Sequence, residues 1–133
     1  MALEFIKSAS GSTVSSLSVT DCFSADYDIY QVTVTTLQTS TSANIDVRFI
    51  DTGGVVSTST YDEAILILPS NTGFSTIKNT GQTSIGGISF GNGASTGASI
   101  NMMVFNPNDS SSFTYLTDES NAWTGVLQGY KGI

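Results

Sequence analysis

The sequence predicts an all-β fold, an antiparallel β-sandwich of the jelly-roll type with about eight to ten short strands. No long stretch has the apolar spacing of an amphipathic helix. Short runs rich in β-branched and aromatic residues are instead separated by Ser, Thr, Gly and Asn. Seven Phe, five Tyr and one Trp in 133 residues supply large apolar side chains, so we expect residues 1–133 to form one domain with a single core.

The first half of the chain contains five predicted strands. In the third of them, Tyr30, Val32 and Val34 share one face, which is the alternation of a half-buried strand. Gly53 and Gly54 separate the last two and predict a two-residue hairpin turn, because glycine accepts the positive φ that such turns need. The five segments are Leu3–Lys7, Val14–Thr20, Asp28–Leu37, Asn44–Asp51 and Val55–Tyr61.

The second half is less regular. Ala64–Leu68 is an apolar run before Pro69, and its periodicity fits either a strand buried on both faces or a short helical turn. Ser70–Gly97 is rich in glycine, and we expect a long excursion with one weak strand, Ile85–Phe90, and a variable or binding loop. Three further strands are predicted, the first two joined by a turn at residues 106–109: Ala98–Phe105, Ser112–Thr117 and Trp123–Tyr130.

The inward faces of the regular strands give a predicted core. Each of these residues occupies every second position of an alternating segment, so that all of them face one side. They are Tyr30, Val32, Val34, Ile45, Val47, Phe49, Ile100, Met102 and Val104.

Charge and cysteine content limit the classes of partner. The net charge is −7, and the four Lys and Arg residues are scattered, so we expect neither nucleic acid nor an anionic membrane surface as a partner. The N-terminal residues have neither a basic segment followed by a long apolar run nor a transmembrane pattern. Cys22 is the single cysteine, and we expect a buried, inert thiol.

Catalytic and metal-binding patterns are missing from the sequence. Without histidine, a Ser-His-Asp or Cys-His centre cannot form, and zinc has almost no ligands to use. Asp62-Glu63 and Asp118-Glu119 are adjacent pairs, and neighbouring side chains of a strand point to opposite faces, so neither pair is a natural glycosidase dyad. We therefore predict no catalytic residue, metal or cofactor.

Three oxygen-rich or glycine-rich segments have simpler explanations than ligand binding. Residues 21–28, with three Asp, and residues 106–109 lack the spacing of a calcium loop, and their side chains suit turns. Residues 91–97 match no phosphate-binding motif and are predicted to be a loop.

Aromatic residues could form a platform on which sugars stack. The alternative is that they are ordinary core residues, and the sequence leaves both readings open. The four candidates for glycan stacking are Trp123, Tyr61, Tyr115 and Tyr130.

Several stretches of the sequence resemble small β-rich virion proteins of tailed phages that infect marine bacteria such as cyanobacteria. The resemblance is in the texture of the strands and in a few phrases, and it includes no catalytic motif. The stretches are residues 2–11 (ALEFIKSASG), residues 14–23 (VSSLSVTDCF), residues 30–34 (YQVTV), residues 104–107 (VFNP) and residues 111–115 (SSFTY).

The resemblance implies a structural or appendage component of a virion, such as a fibre, a decoration or another exterior part. The protein would be made in the host cytoplasm and incorporated into the particle by assembly. Its relatives run longer, so we expect this chain to lack a final strand, and we expect a neighbouring chain to complete the exposed edge.

The leading hypothesis is therefore a non-enzymatic virion protein on the exterior of capsid or tail. Its partners would be other copies of itself, for example in a trimer, and other virion proteins. The first alternative is a carbohydrate-binding, receptor-recognition module of a tail fibre, with host surface glycans as partners. The second is a hydrolase of surface polysaccharide that uses carboxylates.

Overall fold

All helix or strand structure in the part of the chain that the structure describes is β-strand. The structure is a computed structural model that describes residues 3–41, 43–90, 97–123 and 125–133. Within these ranges there are ten strands and no helix. The strands are β1 (Ile29–Leu37), β2 (Ala43–Val47), β3 (Ile50–Asp51), β4 (Gly54–Val55), β5 (Tyr61–Pro69), β6 (Ser75–Gln82), β7 (Ile85–Phe90), β8 (Ala98–Phe105), β9 (Tyr115–Trp123) and β10 (Leu127–Gly132).

Six strands form one antiparallel sheet in the order β1-β8-β9-β10-β5-β6. Its inner face follows from the alternation in β8, where Ile100 and Val104 are each 2% exposed. Val104 pairs with Tyr30 of β1 on one side and with Leu116 of β9 on the other. Because side chains alternate along each strand, this register brings the apolar positions of β1, β8 and β9 to the same face.

A two-stranded ribbon of β2 and β7 accompanies the large sheet, and β7 lies close to β9 and β5. Of the nine predicted core residues, Tyr30, Ile100, Met102 and Val104 are buried, and the other five are half-buried and packed against them. The antiparallel all-β prediction is confirmed. A large sheet with a ribbon beside it is compatible with a sandwich, whose jelly-roll form stays a prediction.

The hairpin predicted over residues 44–61 is present only at its tip, and its turn lies one residue earlier than predicted. Ile50 pairs with Val55 and Asp51 with Gly54, so the two loop residues are Thr52 and Gly53. Gly54, the first residue of the return strand, has φ +109°, whereas neither loop residue has the positive φ of a primed turn. The flanking segments then separate, since β2 pairs with β7 and Tyr61 already begins β5. The Val56 amide still donates a 2.9 Å hydrogen bond to the Phe49 carbonyl. The Tyr61 hydroxyl accepts a hydrogen bond from the Phe49 amide and donates one to the Val56 carbonyl, both at 3.0 Å, and so adds a side-chain bridge at this end of the hairpin.

The region after the hairpin is more regular than predicted. The Ala64–Leu68 run belongs to β5 and is a strand, with Ile65 buried and Leu66 37% exposed, so it is not buried on both faces. Strand β6 was not predicted, because Ile77 is its one large apolar residue. The predicted strand at residues 85–90 is confirmed, and the predicted loop at residues 91–97 lies outside the described residues except for Gly97.

The last two strands differ in their bounds from the predicted strands Ser112–Thr117 and Trp123–Tyr130. The return strand after β8 begins at Tyr115 and continues to Trp123, and a turn at Gly125, with φ +97°, leads into β10. Strand β10 is paired on both sides, with β9 and with β5. Among the described residues, the open edges of the large sheet are therefore β1 and β6, and a strand supplied by a neighbouring chain stays a prediction.

The N-terminal arm, residues 3–21, forms none of the strands predicted there. Every residue of the arm is exposed, including Leu3 at 79% and Phe5 at 78%. Within the arm, Lys7 Nζ donates a 2.6 Å hydrogen bond to the Thr20 carbonyl, and from outside the arm the Tyr27 hydroxyl donates one to Glu4. The predictions of strands at residues 3–7 and 14–20 are wrong, because alternation makes a strand only where another strand offers its backbone for pairing. Cys22, next to the arm, is half-buried rather than buried.

Candidate functional site

A cavity of about 990 Å³ lies at one end of the large sheet. Its walls are largely apolar, and its volume is at the upper end of the range of about 300–1,000 Å³ that is typical of ligand sites. Phe113 and Ile133 border the cavity and are 81% and 69% exposed, so its mouth is open to solvent. The aromatic residues of the wall are Phe23, Phe49, Tyr61, Phe105, Phe113 and Tyr115.

Two carboxylates, Glu63 and Asp118, line the same cavity, and we call it the acidic cavity. Each residue is only 8% exposed. Glu63 lies on β5 and Asp118 on β9, and the end of β10 runs between these strands. Gly132 of β10 pairs with Asp118, and a Cβ atom at position 132 would lie 2.1 Å from Asp118 Oδ1. The absence of a side chain at Gly132 therefore makes the space that the Asp118 carboxylate occupies.

The two carboxylates differ in their hydrogen bonds. Glu63 Oε1 accepts from Asn79 Nδ2 at 2.7 Å, and Oε2 accepts from the Gly86 amide at 2.9 Å. No group within the described ranges donates a hydrogen bond to the Asp118 carboxylate. Burial raises the pKa of Asp118 above its usual range, and the charges of Glu63 and then Glu119 raise it further.

The surroundings of the cavity are acidic as well. Asp51 also lines it, while Asp62 borders it with its carboxylate on the opposite side of β5, so three carboxylates stand against one base, Lys78, among the described lining residues. An anionic ligand would meet repulsion here. A positively charged group that arrives on an apolar body would gain both electrostatic attraction and burial.

The sequence argument about adjacent acids was right for each pair and missed how the pairs meet. Asp62 is exposed and accepts a hydrogen bond from the Gly81 amide at 2.8 Å, on the side of β5 away from Glu63. Glu119 is exposed and lies 3.0 Å from Lys131. The inward member of each pair, Glu63 and Asp118, enters one cavity. A possible signal was the inward position of Asp118 between Leu116 and Ser120 in an alternating strand.

The structure separates the four aromatic residues proposed for glycan stacking. Tyr61 is 8% exposed and lines the acidic cavity, and Tyr130 is 3% exposed and belongs to the core, so neither lies on an exposed aromatic row, and a stacking role for them stays a prediction. Both point inward because they sit at inner-face positions of β5 and β10. Trp123 and Tyr115 are 49% and 60% exposed, at opposite ends of β9. Eight residues of strand separate them, or about 27 Å, so they form no joint platform for one sugar ring.

The oxygen-rich turn near residue 109 has the local bonding that turns favour. Asp109 Oδ1 accepts hydrogen bonds from the amide and hydroxyl of Ser111, and Oδ2 accepts one from the Ser112 hydroxyl. These hydrogen bonds lower the pKa of Asp109, with the Ser111 hydroxyl as the largest cause. No group of three or more potential metal-ligating residues occurs in the part of the chain that the structure describes.

Comparison with known proteins identifies no relative. Searches of protein-family models, of curated proteins and of solved structures gave no match to this chain. No helix within the described ranges is long and apolar enough to cross a membrane. The resemblance to phage virion proteins therefore depends on the quoted sequence phrases alone.

Proposed function

We propose that this chain is a non-enzymatic structural protein of a phage virion, located on the exterior of capsid or tail, which acts by assembling with copies of itself and with other virion proteins. The observation that supports it most is the N-terminal arm. Nineteen consecutive residues, 3–21, are all exposed, and six of them are large apolar residues. Exposed apolar surface of this kind is typical of segments that are buried in an assembly.

The open edge of the sheet supports the same proposal. Strand β1 pairs with β8 on one side, and its sequence IYQVTVTTL contains no charged residue and no proline. Natural proteins usually protect such edges with charges, proline or short strands. A nine-residue edge without charges is suited to pairing with another chain.

Two measurements test the proposal together. Native mass spectrometry of the purified protein should show a homo-oligomer, and quantitative mass spectrometry of purified particles should find the chain in fixed stoichiometry. Hundreds of copies per particle would indicate a capsid decoration, and a few tens or fewer would indicate a tail part. A protein absent from purified particles would contradict the proposal.

A carbohydrate-binding module of a tail fibre is the second candidate, and the exposure of Trp123 favours it. Trp123 pairs with Leu127, which is 54% exposed, so an apolar patch lies at this end of the sheet. Trp123→Ala should then abolish binding to a glycan array while leaving the melting temperature close to that of the wild type. Tyr130→Phe is the control, since Tyr130 is buried. Absence of binding to any host envelope fraction would contradict this candidate.

The third candidate is the polysaccharide hydrolase that uses carboxylates. The adjacent acidic pairs of the sequence offered no site for it, whereas the acidic cavity does. Two carboxyl groups in one cavity, one of them with a raised pKa, are the kind of groups that glycoside hydrolysis uses. Release of reducing ends from host polysaccharide, lost in both Glu63→Gln and Asp118→Asn, would establish that activity in place of the structural proposal.

A further inference from the structure

We propose that the acidic cavity is a docking site for the N-terminal arm of a second copy of this chain, with the Lys7 ammonium group placed against the carboxylates of Asp118 and Glu63. The inference rests on the proposed function, since it names the surfaces through which copies assemble. Among the described residues, the apolar side chains of the arm are exposed and the Asp118 carboxylate has no hydrogen-bond donor.

The chemistry of the arm complements that of the cavity. The segment LEFIK, residues 3–7, carries three exposed apolar side chains, Leu3, Phe5 and Ile6, next to Lys7, one of the four bases of the chain. The cavity presents an apolar wall that includes six aromatic residues, three carboxylates and one lysine. Burial of Phe5 against that wall would contribute about 1.5–3 kcal/mol, and the ammonium group would meet the excess negative charge.

Asp118 is the carboxylate of the cavity for which a hydrogen-bond donor or a positive charge from another chain would stabilise the protein most. It is 92% buried, being 8% exposed, and no described group donates a hydrogen bond to it. Glu63, by contrast, accepts hydrogen bonds at both oxygens. A buried carboxylate without a donor is costly, and an incoming ammonium group removes that cost.

The arm can reach another molecule. Fully extended, the segment 3–21 would span roughly 60 Å, while a domain of this size has a radius of gyration of about 14 Å. The contacts that hold Lys7 and Glu4 to their own chain are exposed hydrogen bonds, to the Thr20 carbonyl and from the Tyr27 hydroxyl. Exposed contacts of this kind contribute little stability, so exchange to a neighbour is energetically accessible.

The test combines matched charge variants with mapping of contacts in the full-length protein. Lys7→Glu and Asp118→Asn should each weaken self-association at least about tenfold, as measured by analytical ultracentrifugation. Lys131→Glu makes the same charge change as Lys7→Glu but at a residue 63% exposed beside Glu119, and should leave self-association unchanged. The double variant Lys7→Glu with Asp118→Lys should recover part of the lost affinity.

Carbodiimide cross-linking of an equal mixture of ¹⁴N and ¹⁵N protein shows which chains meet. We expect cross-linked peptides that join Lys7 to Asp118 or Glu63 and carry mixed isotope labels. Labels that never mix would mean that the arm reaches the cavity of its own chain, which overturns the inference.

The other outcomes also decide the matter. An oligomer that Lys7→Glu does not weaken overturns the inference and leaves the proposed function standing. A wild-type monomer at every concentration overturns the inference, and the particle stoichiometry then decides the proposed function alone. If Asp118→Asn fails to fold, Lys7→Glu still decides, because Lys7 is an exposed residue.

Discussion

Two glycines of β10 provide a sharp test of the register that builds the acidic cavity. Neither Gly129 nor Gly132 is among the glycines with positive φ, so alanine can adopt the backbone at both positions. At Gly129 the nearest atom to an added Cβ is Leu68 Cδ1 at 3.7 Å, an ordinary contact. At Gly132 the added Cβ would lie 2.1 Å from Asp118 Oδ1 and 3.2 Å from its Cγ. The two substitutions are chemically identical and meet different surroundings.

The expected magnitudes follow from these distances. Gly129→Ala should stabilise the protein by about 0.4–1 kcal/mol, because alanine lowers the entropy of the unfolded chain. Gly132→Ala also lowers the entropy of the unfolded chain, but its methyl group forces the buried Asp118 carboxylate to move. Overpacking of this kind costs about 1–3 kcal/mol. For a chain of this length each kcal/mol shifts the melting temperature by about 3–5 °C. Gly129→Ala should therefore melt above the wild type, and Gly132→Ala below it or close to it.

A double-mutant cycle isolates the contact. In the Asp118→Ala background the carboxylate is gone, so Gly132→Ala should lose most of its penalty, with a coupling free energy of about 1–3 kcal/mol from urea unfolding. Gly129→Ala should show no coupling to Asp118→Ala beyond about 0.5 kcal/mol. If Gly132→Ala stabilises the protein as much as Gly129→Ala does, the carboxylate does not lie over Gly132 and the described cavity floor is incorrect.

Three further predictions concern the core and the cavity. Ile100→Ala should destabilise by about 2–5 kcal/mol in urea unfolding, because Ile100 is 2% exposed and its loss leaves a cavity; a cost below 1 kcal/mol would contradict the packing. Val47→Asp should unfold the domain, seen as loss of the cooperative melting transition, since it places a charge against the core; an unchanged melting temperature would contradict the strand register. The pKa of Asp118 is raised, so the folded protein binds the proton of this carboxyl group more tightly than the unfolded chain does. The stability that this proton contributes is fully present below the unfolded pKa near 3.9. It is lost as the pH rises through the pKa of the folded state. Asp118→Asn should remove that loss and gain stability over the wild type as pH rises, whereas Glu119→Gln, an exposed control, should not; parallel pH profiles of wild type and Asp118→Asn would refute this.

The fold was predictable wherever one strand carried its own pattern. Ile100, Met102 and Val104 alternate with polar or less buried neighbours, and β8 has the bounds that the alternation indicated. The hairpin tip near Gly53 was equally local, although its turn lies one residue earlier than the predicted Gly53-Gly54 pair. Strand β6 could not be found this way, because its pattern is mostly polar and its pairing with β5 stabilises it. Alternation in residues 14–20 produced the opposite error, since that segment has the pattern and lacks a partner.

The acidic cavity could not be predicted from the sequence, for a related reason. Glu63 and Asp118 are far apart in the sequence, and they meet because β10 runs between β5 and β9. Only the strand order brings them together, and no local pattern encodes that order. The separation of Trp123 from Tyr61 and Tyr130 arises in the same way, because the face of a strand on which a ring lies depends on the register of the whole sheet.

The open edge and the N-terminal arm occur side by side in the chain, and this bears on how copies assemble. The bulge between Val34 and Leu37, with Thr36 at φ +56°, ends regular pairing along β1 and limits the usable edge to its first six residues. Residues 14–20 have the alternation that such an edge accepts, and the arm that carries them leads into β1. A net charge of −7 opposes unspecific contact between copies, and a contact that places a base against acids would offset that repulsion locally. The proposed contact of Lys7 with the acidic cavity would be of this kind, and it would favour an ordered oligomer over open-ended edge pairing.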